Sequence, residues 1–384
     1  MRTKAGWTIK KSFKGRPASD GFRIGAVDGM KGVAILFVVF GHMSGGFGFI
    51  PLISFANAAS FGPPLFFVVS SFILTLVFLR KDEGDLAKLA TWKDYALRRL
   101  LRVYPLYVLA LLAAFSLSTV GIRIYPGSKG YIFTSLELVK HLLLLDGVGL
   151  FWFIPILMQF YFIVFPLTIF LFVKVLRRNL AAIVIAVLLL SAVELLAWPQ
   201  AEKPIKAAIP FLKQWFPAWL PVFLSGSLAA VLYLKAKESK LFSAWSSRLA
   251  MELTAIASFG FVFIAIPSIW NSITSLRLDA VFGSLYPKDV LGWLWCIFAL
   301  SSLLGTGFMR RLLEFGGLRF IGLMSLSVYL WHMFVVRFVH VYIHTNPAIE
   351  TVLVVVGIFL VSVTSYVLVE KPLQAFTARL VPAS

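Results

Sequence analysis

The chain has 384 residues, of which 60% are hydrophobic and 14% charged, and it carries a formal charge of +19 at pH 7. Soluble domains are roughly 45–50% apolar, whereas apolar runs of about twenty residues suit helices crossing a hydrocarbon core about 30 Å thick. A soluble domain is therefore excluded. So is a transmembrane barrel, which would alternate in ten-residue segments. With Cys296 as the sole cysteine, set in the apolar run "LGWLWCIFAL", so are a disulfide framework and a cysteine metal site.

In chain order, residues 1–26 read as a basic cytoplasmic tail. Apolar runs then predict ten spans, near 32–49, 61–80, 100–120, 151–176, 180–198, 216–234, 249–270, 290–308, 321–343 and 350–370. The expected fold class is an all-α integral membrane protein of about ten transmembrane helices. Residues 27–376 form its single membrane domain, and residues 377–384 a short cytoplasmic tail. With the N-terminus inside, 27 of the 36 Lys and Arg fall on inner segments and eight on outer ones, and Arg337 lies within a span. The positive-inside bias thus predicts that both termini are cytoplasmic. The same bias, with attraction to anionic membrane lipids, accounts for the basic charge without nucleic acid.

Polar residues inside apolar runs are costly and call for a reason. In "DGMKGVAILFVVFGHMSGG", His42 follows Lys31 by eleven residues, about 16 Å of helix rise, which puts it near mid-membrane. The same reckoning puts Ser70, Ser71, Gln159 and His332 in a common layer with His42. A serine there often bonds its own helix, and a glutamine often ties two helices together. Histidine differs, because it can take and give a proton near neutral pH. His42 is therefore the candidate catalytic base.

A second constellation is "YALRRLLRVYPLYVLAL", in which Arg98, Arg99 and Arg102 enter a span from the inner side. Residues 99 and 102 share a helical face. Arginines suit bidentate contact with phosphate or carboxylate, beyond any anchoring role. With Lys31 they predict an inner anion site beneath His42. That pattern describes a transferase with an anionic donor. Arg337, His340 and His344 fall on the outer side, either lining an acceptor entrance or snorkelling to headgroups.

Taken in order, these stretches resemble the acyltransferase family 3 membrane proteins, which O-acylate glycans and other hydroxylated acceptors. "VDGMKGVAILFVVFGH" is similar to the family's pattern of a basic residue, ten residues and a histidine, giving Lys31 and His42. "RRLLRVYPLY" resembles its Arg-x-x-Arg element, giving Arg99 and Arg102. "PLFFVVSSF", "FWFIPILMQFYFIVFP", "FIGLMSLSVYLWHMFVV" and "SYVLVEKPLQAF" resemble further motifs in family order. The chain departs in two places. Ser71 stands where glycine is common, and Leu157 and Met158 stand where many members carry acidic residues before the glutamine.

The resemblance implies an acyl-CoA-dependent O-acyltransferase of the bacterial inner membrane. The donor would be acetyl-CoA or another acyl-CoA, the acceptor a cell-surface glycan or lipid-linked precursor, and no metal is called for. Lys31, Arg98, Arg99 and Arg102 would bind acyl-CoA and His42 would be the base. Ser70, Gln159, Tyr329 or His332 would bind the oxyanion or orient the base. Direct transfer and an acyl-histidine intermediate both remain open. The alternative class is a proton-coupled transporter or flippase for a sugar or lipid-linked sugar, which would use mid-membrane histidines and Arg337 as a pathway.

Overall fold

A computed structural model describes residues 24–45, 55, 57–122, 134–147, 149–208, 216–274 and 287–380. Most of the expected basic tail, parts of the outer loops and residues 381–384 lie outside the described residues. All regular structure among the described residues is helical. Helices are what a lipid-embedded chain can form while satisfying every backbone group internally.

The principal helices are α1 (Gly25–Gly45), α2 (Gly62–Phe78), α3 (Leu89–Thr119), α4 (Gly149–Val175), α5 (Leu180–Ala208), α6 (Leu220–Glu238), α7 (Trp245–Ile264), α8 (Pro287–Leu304), α9 (Gly316–Leu323), α10 (Ser325–Tyr342) and α11 (Pro347–Leu380). Among the described residues, eight helices are long and apolar enough to cross a membrane. The bent pair α9 and α10 makes nine if it is taken as one span. Where it is described, each expected apolar run is largely helical, and 290–308 contributes α8, which ends at Leu304. The cytoplasmic placement of the termini rests on charge distribution alone.

Three expectations about span boundaries need correction. α1 begins at Gly25 rather than near 32, so His42 stands in the last turn of the described helix. α3 begins at Leu89, eleven residues before the apolar run at 100, because polar residues on one face of a helix are tolerated outside the hydrocarbon. The expected single span at 321–343 breaks at Met324, where α9 and α10 meet at 77°.

Proline shapes α4. Phe165 N–H bonds to Phe160 O, a π-turn one residue wider than α, immediately before Pro166. In that register the partner of Tyr161 O is Pro166, which has no N–H. The Tyr95 hydroxyl fills the gap and donates to Tyr161 O at 2.9 Å.

The core between α2, α4 and α6 is aromatic. Phe160 stacks on Phe223 at 4.1 Å between centroids, and Phe67 on Phe153 at 4.8 Å. Such pairs contribute about 0.5–1.5 kcal/mol beyond the area they bury. In lipid there is little hydrophobic drive between helices, so close approach and polar contacts matter more. At Gly226 a Cβ would collide with the Val68 backbone, so glycine lets α6 touch α2. Beside it, Ser71 Oγ–H donates to Phe223 O at 2.5 Å and lies 2.6 Å from Ser227 Oγ, to which Thr75 donates at 3.0 Å. Ser71 is thus a helix tie. Cys296 is buried, its thiol donating to Ser225 O at 3.2 Å.

Candidate functional site

α1 carries both ends of the candidate site, and glycines determine how it packs. A Cβ at Gly322 of α9 would fall on Asp28 O, and one at Gly41 would fall on the backbone of Ala59. α9 therefore crosses the start of α1 in direct backbone contact, and the turn Ala58–Phe61 presses against its far end beside His42.

Near the start of α1 a pocket partly open to solvent is lined by Lys31, Ser70, Arg99, Arg102, Tyr161 and Tyr329 among others. Its apolar wall includes Phe66, Phe153 and Leu157. An apolar wall with a few convergent polar groups is the lining of a small-molecule site. Arg99 lies near two aromatic rings, 6.0 Å from the Tyr95 centroid and 5.7 Å from that of Tyr161. Its Nε is buried without a hydrogen-bond partner. A guanidinium held by rings, with an N–H unused, is preorganised for an anion. Lys31 Nζ lies 4.0 Å from Asp28 Oδ1. Arg102 is exposed at the same pocket.

Behind Tyr329 lies a pair of histidines. The Tyr329 and His332 rings are 5.9 Å apart, and His332 Nε2 is 3.1 Å from His42 Nδ1. His332 Nδ1 lies 2.7 Å from Tyr329 O and 3.1 Å from Val328 O. Carbonyls only accept, so the proton of a neutral His332 sits on Nδ1 and its Nε2 is an acceptor. Toward His332 the donor is then His42 Nδ1, which leaves a lone pair on His42 Nε2; His42 has a second hydrogen-bond partner in the backbone of Val38, one turn earlier on α1. These tautomers follow from the hydrogen-bond network. His332 is the eighth of eighteen residues in α10, so the pair lies level with the middle of that helix.

The expected single layer of polar residues is not what forms. Gly62 of α2 packs against Ala34 O of α1, so Ser70, about 12 Å further along α2, lies toward the start of α1, in the pocket with Lys31, and not level with His42. The packing of Gly62 on Ala34 O offsets the two helices, which counting from apolar boundaries could not register. Gln159 is also elsewhere, its Oε1 accepting from Phe216 N–H at 2.9 Å and tying α4 to the approach of α6. The Tyr329 hydroxyl donates to Leu150 O at 2.6 Å, and His332 presents an acceptor toward His42, so neither offers a spare proton to an oxyanion. Of the expected neutral donors, Ser70 and Tyr329 line the pocket, and the Tyr329 proton is already given to Leu150 O.

Arg98 is half-buried and is not among the pocket-lining residues. Arg337 is five residues beyond His332 on α10, about 140° round the helix, so it does not share the face of the histidine pair. His340 and His344 are exposed. Among the described residues no cluster of three or more His, Cys, Asp or Glu could hold a metal ion.

Two site residues were missed in the sequence: Tyr95 and Tyr161, which flank Arg99. The available signal was Pro166, whose missing N–H frees the carbonyl that fixes Tyr95.

The family model described as an acyltransferase domain matches residues 24–368, nearly the whole chain. Comparison with curated proteins and with solved structures gave no match.

Proposed function

The chain belongs to the acyltransferase family 3 membrane proteins, and from that premise we propose that it is an acyl-CoA-dependent O-acyltransferase. Its preferred donor is acetyl-CoA and its acceptor a hydroxyl of a cell-surface glycan or lipid-linked precursor, handled in a bacterial inner membrane. The observation that carries this reading is the hydrogen-bonded pair His42–His332, which does not itself line the pocket of Lys31, Arg99 and Arg102 but adjoins Tyr329, a pocket residue whose ring lies 5.9 Å from that of His332.

Lys31, Arg99 and Arg102 take the donor phosphates, with the Arg99 Nε supplying one charge-assisted hydrogen bond. The thioester end passes Tyr329 to reach the histidines. His42 Nε2 removes the acceptor hydroxyl proton as that oxygen attacks the acyl carbon, and CoA departs as the thiol once the C–S bond breaks. General-base catalysis of this kind contributes about 10² to 10⁴-fold. His332 keeps His42 in the tautomer that leaves Nε2 unprotonated, the orienting role that a carboxylate fills in other catalytic constellations. Leu157 on the pocket wall, where relatives often carry an acid, makes this donor channel more apolar.

The transporter alternative has no observation of its own in its favour. Purified protein incubated with labelled acetyl-CoA and a candidate glycan separates the two. The proposal requires saturable CoA binding, weakened in Arg99→Ala, and label appearing on the acceptor. Protein that binds no CoA and transfers no label would overturn it.

A further inference from the structure

Glu370 is one of several buried carboxylates that the mechanism leaves unused. Glu370 is 5% exposed and lies in the π-turn Tyr366–Glu370 of α11, where Lys371 N–H bonds to Tyr366 O just before Pro372. One of its oxygens, Oε1, accepts from Ser327 N–H at 3.1 Å and also from the Ser327 hydroxyl. Ser327 Oγ lies 3.2 Å from Ser365 Oγ, which accepts from Trp331 Nε1–H at 2.9 Å. Two helices are thus tied at Ser327 and again at Trp331.

Ser327 is the third residue of α10, and the N-cap residue Met324 provides no side-chain cap. α10 also starts at the 77° break from α9, so no continuous helix fixes its position. A carboxylate borrowed from α11 does the capping, in the place where a helix N-terminus favours negative charge. Tyr329 and His332 follow two and five residues later on the same helix. The contact between His332 and His42 is 3.1 Å, and a shift of about 1 Å would take it beyond hydrogen-bond range.

We propose that Glu370 is a positioning residue for acyl transfer, setting the register of α10 so that His332 holds the tautomer of His42. This rests on the acyltransferase reading above. The role belongs to the oxygen acceptor at Ser327, and a neutral amide can supply it.

The test compares Glu370→Ala, Glu370→Gln and Ser327→Ala in purified full-length protein. Misplacement by about 1 Å costs near 100-fold, so Glu370→Ala should lose about 30- to 100-fold in kcat, with the acetyl-CoA KM within twofold of wild type. Glu370→Gln should recover most of kcat, and Ser327→Ala, which retains the backbone N–H bond, should lose only severalfold. Wild-type kcat in Glu370→Ala overturns the proposal. So does a Glu370→Gln variant as slow as Glu370→Ala, or a loss confined to donor KM, which would place the effect at Arg102, the pocket-lining arginine whose charge acts on Glu370. A readout independent of turnover is the ¹⁵N-histidine spectrum, in which wild type shows the His42 to His332 Nδ1–H···Nε2 coupling, Glu370→Gln retains it and Glu370→Ala loses it. Coupling that persists in Glu370→Ala refutes positioning. A wild-type protein that transfers no acyl group refutes the acyltransferase reading and leaves the spectral test of α10 register standing.

Discussion

Replacing His332 by phenylalanine fills most of the space of the ring while removing its acceptor nitrogen. His42 then loses the partner it meets at 3.1 Å and keeps its hydrogen bond to the backbone of Val38. Losing one such hydrogen bond costs about 0.5–1.5 kcal/mol. The imidazole is then freer to rotate or to move its proton to Nε2, the atom proposed to act as base. At 1.36 kcal/mol per factor of ten, the penalty corresponds to roughly 2- to 13-fold in kcat. The ceiling is removal of the base itself, about 10² to 10⁴-fold. His332 is not among the residues lining the proposed donor pocket, so the acetyl-CoA KM should stay within twofold. The decisive comparison is a double-mutant cycle: once His42 is alanine, His332 has nothing to orient, so His42→Ala/His332→Phe should be as slow as His42→Ala alone. Steady-state transfer of labelled acetyl groups measures all four proteins. If the two losses multiply in the double variant, His332 acts independently of His42 and the orienting role is refuted.

Other sites give separate outcomes. Arg99→Lys keeps the charge but loses the planar group between Tyr95 and Tyr161, so CoA affinity should fall about tenfold by equilibrium binding, roughly 1.4 kcal/mol. Affinity unchanged by this variant would remove Arg99 from the donor site. Gly41→Ala places a Cβ on the Ala59 backbone, and an overpacked contact costs about 1–3 kcal/mol, so thermal unfolding in detergent should shift down. An unshifted midpoint would contradict the close approach of α1 to the turn before α2. Ser71→Ala removes a helix tie worth about 0.6 kcal/mol in comparable membrane settings. Its stability should drop slightly while kcat per folded molecule stays at wild type, and a large kcat loss would put Ser71 in the catalytic machinery.

The membrane class, the helical stretches and the clustering of Lys31, Arg99 and Arg102 were legible because hydropathy and helical spacing are local properties of the chain. Depth was less so. Counting residues from apolar boundaries set His42 and His332 level correctly, yet misplaced Ser70 by most of a helix half. The offset between α1 and α2 arises from Gly62 packing on Ala34 O, a tertiary contact with no local signature. The break at Met324 was hidden inside one apolar run, since hydropathy does not register a change of direction. Tyr95, Tyr161 and Glu370 were passed over for a shared reason: Pro166 and Pro372 convert the preceding turns to π geometry, and the freed or rotated groups find partners on other helices. The sequence left open what orients His42. The side chain that meets His42 at 3.1 Å is a second histidine, 290 positions away in the chain, and it is the one proposed for that role.

The most direct test is acetyl transfer from labelled acetyl-CoA to a hydroxylated glycan by reconstituted wild type and His42→Ala, with CoA binding measured on the same preparations. Catalysis through His42 predicts that the variant binds CoA as wild type does while kcat falls at least about 100-fold. Transfer by His42→Ala at the wild-type rate, with CoA bound equally well, would contradict it.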